Sequence, residues 1–143
     1  MSWVTILTPL FNGIEYFEEC YNGIINQTES DWIWIIGING HNDTKIYDML
    51  LSRITDIRII VKQYDTLGKV NTLNKMVEDV KTEYIALCDV DDIWFPQKLE
   101  LQKLFVTHHP EIDVFGTNLQ YIGEMNHIPN LPCGLISLDV LKE

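Results

Sequence analysis

Residues 84–94 read Tyr84-Ile85-Ala86-Leu87-Cys88-Asp89-Val90-Asp91-Asp92-Ile93-Trp94, an apolar strand pattern that stops where three carboxylates fall within four positions. Carboxylates this close repel one another. They are tolerated together where a cation is held, and hard oxygen donors of this kind suit Mg²⁺ or Mn²⁺. In an open α/β sheet, ligands bind beyond the carboxyl ends of the strands. The stretch therefore predicts a strand end in an α/β domain, carrying a metal–diphosphate site.

Working outward, short strand-like runs alternate with helical stretches, the pattern of repeated βα units around a mostly parallel sheet flanked by helices. The strand candidates are 4–8, 32–36, 57–62 and 84–88. Between the first two, Phe17, Cys20, Tyr21, Ile24 and Ile25 follow the i, i+3, i+4, i+7, i+8 rule of one helix face. Asp43 is placed to cap a short helix running through Ser52. Val70, Leu73, Val77 and Val80 mark a further helical stripe leading into the acidic strand end. After the acidic turn, Pro96 opens a helix carrying Leu101, Leu104 and Phe105, which His108-His109-Pro110 ends. A further strand is expected over 112–121, then a loop rich in Pro and Gly over 126–134. No repeat, low-complexity tract or linker divides the 143 residues, so one domain is expected.

Composition narrows the partners. Ten Lys and Arg against 21 Asp and Glu give a formal net charge of −11, which argues against a surface that tracks nucleic-acid phosphates. An acidic chain that binds an anion must reverse its own field locally, through a cation or a well-placed lysine. Cys20, Cys88 and Cys133 are odd in number and widely spaced, reading as buried thiols of a reducing, cytoplasmic compartment. The N-terminal stretch lacks a basic region, so no signal peptide is expected, and no apolar run reaches transmembrane length.

Asp89 and Asp91, alternating in an extended turn, are expected to point the same way and hold Mn²⁺ or Mg²⁺, with Asp92 aimed elsewhere, toward a bound sugar or a supporting lysine. The plainer reading is a solvated loop in which an Asp caps the next helix. A calcium EF-hand counted from Asp89 fails, because Ile93 and Trp94 occupy its fifth and sixth positions. An aspartyl-nucleophile phosphohydrolase, with Asp89 as nucleophile and Asp91 as acid/base, is a further alternative, but it places such a pair on its first strand. Gly68-Lys69, at a loop-to-helix junction, offers helix amides and one positive charge to an anion; an ordinary helix start is the plain alternative. Asn74 lies one turn in, set to bond the acidic loop or local backbone. The turns 8–13 and 37–43 fall at the same sheet edge, so three loops converge on one crevice. His41 is a possible ligand contact there, while His108, His109 and His127 lack metal-ligand spacing. Trp32, Trp34 and Trp94 read as packing residues.

These residues together resemble the GT-A glycosyltransferases of the inverting, family-two type. The likeness runs over about residues 3–122: the opening Val4 to Gly13, then 16–20 and 25–28, Gly68-Lys69 through Leu73-Asn74, Asp89-Val90-Asp91-Asp92 as a DxD motif, and Trp94, Pro96, Lys98-Leu99-Glu100 and 110–114. It implies a Rossmann-like, nucleotide-sugar-binding domain. By the resemblance, Thr8, Pro9 and Asn39 lie near the base, Lys69 near base or phosphates, Asp89 near the ribose and metal, Asp91 on the metal and Asp92 near the donor sugar, with Asn74 at the donor site. The donor implied is a UDP-sugar, with a GDP-sugar as alternative, and the acceptor a saccharide or protein-linked glycan. Two departures stand out. Ile38-Asn39-Gly40-His41 replaces the family's usual Asp followed by Gly-Ser, and Asn offers both a donor and an acceptor where Asp only accepts. The family's general base comes from a downstream segment, and the carboxylates available here, Glu124, Asp139 and Glu143, carry no motif. The chain thus reads as the donor-binding half of such an enzyme, C-terminally incomplete relative to the family, or as a binding module without transfer activity; exposed apolar surface on a truncated sheet would favour self-association.

Overall fold

The computed structural model describes residues 2–40, 44–131 and 134. Two compact units are present, Met1–Phe105 and Val106–Glu143. The first holds a four-stranded, wholly parallel sheet in the order β3-β2-β1-β4, made of β1 (Val4–Leu10), β2 (Trp32–Asn39), β3 (Ile59–Tyr64) and β4 (Tyr84–Leu87). The chain lays down β1, β2 and β3 in one direction, then crosses back to place β4 on the other side of β1. That reversal opens a crevice beyond the carboxyl ends of β1 and β4, the switch point at which ligands bind in such sheets.

Strand periodicity sorts the side chains onto two faces. Val4, Ile6 and Leu10 of β1 share a buried cluster with Trp32, Trp34, Ile36 and Ile38 of β2, joined by Phe17, Cys20 and Ile24 of α1 (Phe17–Ile25) and by Leu50 of α2 (Lys45–Arg53). The alternate residues Leu7 and Ile35 face the other way, toward Met76 of α3 (Lys69–Val77) and Tyr64. There α3 lies close on β2: a β-carbon at Gly37 would fall 2.5 Å from Met76 Sδ. Trp34, fully buried, donates its indole N–H to Thr8 Oγ1 at 2.9 Å, which satisfies the polar atom of a large core side chain.

The helix over 17–25 stands as the apolar spacing predicts. Helix α2 starts at Lys45 with Thr44 as its N-cap; Asp43 lies outside the described residues. The expected stripe on α3 is corrected. Thr72 and Met76 are its buried residues, Leu73 packs at the margin, and Val70 is 69 % exposed and Val77 47 %. Val80 lies beyond the helix end. Thr72 carries no apolar signal in the sequence, yet its hydroxyl is bonded to Gly68 O at 3.0 Å and to Thr66 Oγ1 at 2.8 Å, so it can face inward. In α4 (Lys98–His108), Leu99 enters the core, whereas Leu101 and Leu104 are exposed.

The second unit carries no strand over 112–121 among the described residues. It has one isolated antiparallel bridge, Tyr121 with His127, whose rings stack at 4.8 Å. Apolar residues make a strand only where a neighbour pairs their backbone, and one bridge does not do so. Pro132, Cys133 and the stretch 135–143, with Asp139 and Glu143, lie outside the described residues.

Candidate functional site

Beyond the carboxyl ends of the strands lies an open cavity of about 610 Å³. Its wall is contributed by Pro9, Phe11, Asn12 and Gly13 after β1, Glu15 and Tyr16 of a 3-10 turn, Asn39 ending β2, Leu67, Gly68 and Lys69 entering α3, and Asp89, Val90 and Asp91 after β4. A smaller cavity of about 220 Å³ adjoins it, lined by Pro9, Lys69, Leu73, Leu87, Asp89 and Asp92. Pro9, Lys69 and Asp89 belong to both. Three loops thus meet at one edge.

The acidic segment is a tight turn, not the extended chain expected from the sequence. Asp92 N–H donates to Asp89 O at 3.0 Å, closing residues 89–92. Asp89 and Asp91 both line the larger cavity, and Asp89 and Asp92 the smaller. Val90, buried in the core, pins the turn from below. Lys69 Nζ donates to Asp89 Oδ2, and among the described residues lining both cavities it supplies the positive charge. It stands on the first turn of α3 because Gly68 before it, with φ +85° and ψ 146°, takes a backbone conformation that side chains rarely adopt.

Partial burial, followed by the negative charges of Asp89 and Asp91, raises the Asp92 carboxyl above its usual range, against the opposing hydrogen bond to Asp89 and the charge of Lys69. Burial lowers Lys98, with the charge of Asp92 opposing. Behind the turn, Cys20 and Cys88 are free, buried thiols with sulfurs 3.8 Å apart. Hydrogen bonding to Cys20 and burial push the Cys88 thiol strongly up, so it stays protonated.

Asn39 is 2 % exposed, lines the larger cavity and has a carbonyl oxygen without a hydrogen-bond partner among the described residues. Such an atom is costly unless a donor arrives. Nearby, Phe11 and Leu67 close over Gly40, whose β-carbon position lies 3.4 Å from the Phe11 ring and 2.9 Å from Leu67 Cδ2. Pro9 is in the cavity, but Thr8 is not: one residue of strand alternation turns it to the opposite face, where Trp34 takes its hydroxyl. Asn74 is exposed on α3 and lines neither cavity. His41 lies outside the described residues. Glu15 and Leu67 were not singled out from the sequence, and Tyr16 entered only through the family resemblance; no periodic signal marks a 3-10 turn or a loop end as cavity wall.

Among the described residues, no three or more of His, Cys, Asp and Glu are placed to hold a metal ion by themselves. Asp89 and Asp91, together on one open cavity that Glu15 also lines, instead match the habit of Mg²⁺-like ions, which take one or two carboxylates, waters and substrate phosphates. The acidic pair also follows the fourth strand in the chain, not the first, which the phosphohydrolase alternative requires.

The family model for glycosyl transferase family 2 matches residues 5–135. The chain belongs to this family. An uncharacterized glycosyltransferase of Methanocaldococcus jannaschii, MJ1057, is 31 % identical over 128 residues, covering 87 % of this chain and 44 % of that protein. The fold is similar to S. aureus TarS 1-349 in complex with UDP-GlcNAc, at TM-score 0.65 and 18 % identity over 76 % of this chain and 32 % of that one. It is also similar to the mannosyltransferase PcManGT of Pyrobaculum calidifontis in complex with GDP-Man and Mn²⁺, at TM-score 0.52 and 19 % identity over 64 % of this chain and 28 % of that one. The chain spans less than half the length of MJ1057 and about a quarter of the next two relatives. As a family 2 glycosyltransferase domain it carries a GT-A fold, and no helix among the described residues is long and apolar enough to cross a membrane.

Proposed function

We propose that residues 1–143 form a donor-binding domain that takes a nucleotide diphosphate sugar, a UDP-sugar in preference to a GDP-sugar, with Mn²⁺ or Mg²⁺, and passes the sugar to a saccharide or glycan acceptor with inversion. The observation that carries this reading is the larger cavity, lined by Asn39, whose buried amide oxygen has no partner among the described residues, by Lys69, and by Asp89 and Asp91. Asn39 Oδ1 accepts from an N–H on the base edge, which uracil and guanine both present, while Phe11 and Leu67 supply an apolar wall. Asp89 accepts from ribose hydroxyls, and Lys69 turns from Asp89 to the diphosphate. Asp91 holds the cation with support from Asp89, and Asp92 accepts from hydroxyls of the donor sugar. Thr8 acts by fixing Trp34 behind Pro9, and Asn74 through the outer surface of α3. The bound cation stabilises charge on the departing diphosphate as a Lewis acid. Transfer breaks the anomeric C–O bond to the diphosphate as an acceptor oxygen attacks the opposite face, its proton going to a base. Of the carboxylates toward the C-terminus, Glu124 is exposed in the second unit, and Asp139 and Glu143 lie outside the described residues. Free thiols at Cys20 and Cys88 suit a reducing, cytoplasmic setting.

The short span relative to MJ1057 favours a second reading, a nucleotide-sugar-binding module that does not itself transfer. Sugar transfer to an acceptor by this chain alone removes that reading. The primary test is thermal unfolding with UDP, GDP and their sugar conjugates, with and without Mn²⁺, in the parent and in Asp91→Ala. A Mn²⁺-dependent rise in midpoint with one nucleotide, lost in Asp91→Ala, is expected; no rise with any nucleotide contradicts the proposal.

A further inference from the structure

The bed on which the acidic turn lies is one face of α1 and the turn after it. Cys20, Gly23 and Gln27 stand at i, i+3 and i+7, and each meets backbone of the segment from Asp89 to Leu99. Cys20 Sγ donates to Asp89 O at 3.7 Å. A β-carbon at Gly23 would fall 3.0 Å from Trp94 N, so backbone lies directly on that glycine. Gln27 makes the strongest tie. Its Nε2 donates to Phe95 O at 2.8 Å and to Gly23 O at 2.9 Å, and its Oε1 accepts from Leu99 N–H at 3.0 Å. The side chain is 8 % exposed, with both amide protons and the carbonyl in use. Leu99 N–H is among the first donors of α4, which have no partner within the helix, so Gln27 also caps α4 from outside.

We propose that Gln27 is a positioning residue for the metal turn, holding the leg that leaves Asp92 so that Asp91 and Asp92 are set before the ligand arrives. The other leg is already fixed, because Cys88 N–H continues the β4 ladder to Leu7 O at 3.1 Å. Residues 90–94 are therefore spanned between two anchors, one given by the sheet and one by the end of α1 and the turn after it, where Thr28 N–H donates to Pro96 O at 2.8 Å and Gln27 makes the side-chain bonds to Phe95 and Leu99. No other residue type does the same work in that space. Glutamate has the shape but turns acceptors toward the carbonyls of Phe95 and Gly23, and methionine has the length but makes none of the three bonds. The inference rests on the metal–nucleotide reading above.

The test is Mn²⁺ affinity, read from the free-ion EPR signal with UDP present, in the parent, Gln27→Met and Gln27→Glu, each held well below its unfolding midpoint. Groups that orient metal ligands from behind typically change metal affinity tenfold or more when replaced, so a roughly tenfold loss is expected in either variant. UDP affinity without metal should change less than about twofold, a split that a general loss of structure would not give. Unchanged Mn²⁺ affinity in a folded variant with a lowered midpoint overturns the inference and leaves the functional reading standing. A parent that takes up no Mn²⁺ with UDP overturns both. Gln27→Glu, which retains the bond from Leu99 N–H, carries the test alone if Gln27→Met does not fold.

Discussion

Lys62 reaches Asp79 and Lys69 reaches Asp89 through the same ammonium–carboxylate contact, but the two pairs sit in different company. Asp79 Oδ2 also accepts from Tyr64 OH at 2.6 Å, and Tyr64 is buried against Leu7 and Met76. The Lys62 hydrogen bond first, and the Tyr64 bond next, hold the Asp79 carboxyl below its ordinary value. Burial and the same carboxylate push the Tyr64 phenol up. Among the described residues, the Lys69–Asp89 pair has no such third member. Its side chains are 57 % and 42 % exposed, it borders both cavities, and the other charges beside it are carboxylates. An ion pair with a buried hydroxyl behind it serves the fold; one left open to a cavity is available for exchange with a ligand.

The contrast breaks or sharpens in four places. The largest effect is expected at Asp91. A nucleotide at about 100 times its dissociation constant adds roughly 2.7 kcal/mol of stability, and Asp91→Ala should lose most of the Mn²⁺-dependent part, read as a midpoint shift of several degrees. Next comes Asp79→Asn, which removes the charge from a partly buried network and should cost about 1 kcal/mol in urea unfolding at neutral pH. Because the folded carboxyl sits below its ordinary 3.8, its contribution is present above that pH and is lost as pH falls through the folded value. The parent should therefore lose stability below about pH 4 more steeply than the variant; parallel acid limbs would place Asp79 outside the network.

Lys69→Met should leave stability within about 0.5 kcal/mol, as exposed pairs do, while moving two affinities in opposite directions. Mn²⁺ alone should bind about threefold tighter once the competing ammonium is gone, and the nucleotide diphosphate about threefold weaker. Both moving together would contradict an exchangeable pair. The smallest effect belongs to Asp92→Asn. Asp92 is raised in the folded state, so the metal-free parent should lose a little stability as pH climbs from 3.8 through the folded value, and the variant should not.

The sheet was legible because its signals are local. Alternating runs gave four strands, which the structure extends at β1 and β2 and shifts by two residues at β3, and a clean apolar face gave α1. The acidic turn was legible as chemistry but not as geometry, since extended and turned backbones both bring Asp89 and Asp91 to one side. Thr8 shows where local reading runs out: a single step of strand alternation, set by packing of Trp34, decides which face a residue takes. Thr72 and Gln27 show the same limit from the other direction. Each is polar in type and buried in fact, made tolerable by hydrogen bonds to groups that only the folded chain brings near.

The central claim is that the cation with its nucleotide sits at the acidic turn and not at the other lysine–aspartate cluster. Paramagnetic broadening of backbone amides by substoichiometric Mn²⁺ in the presence of UDP tests this by location. The account predicts broadening centred on residues 89–92 and on Gly68 and Lys69, with Tyr64 and Asp79 sharp. Broadening centred on Asp79, or spread evenly over the acidic surface, would contradict it.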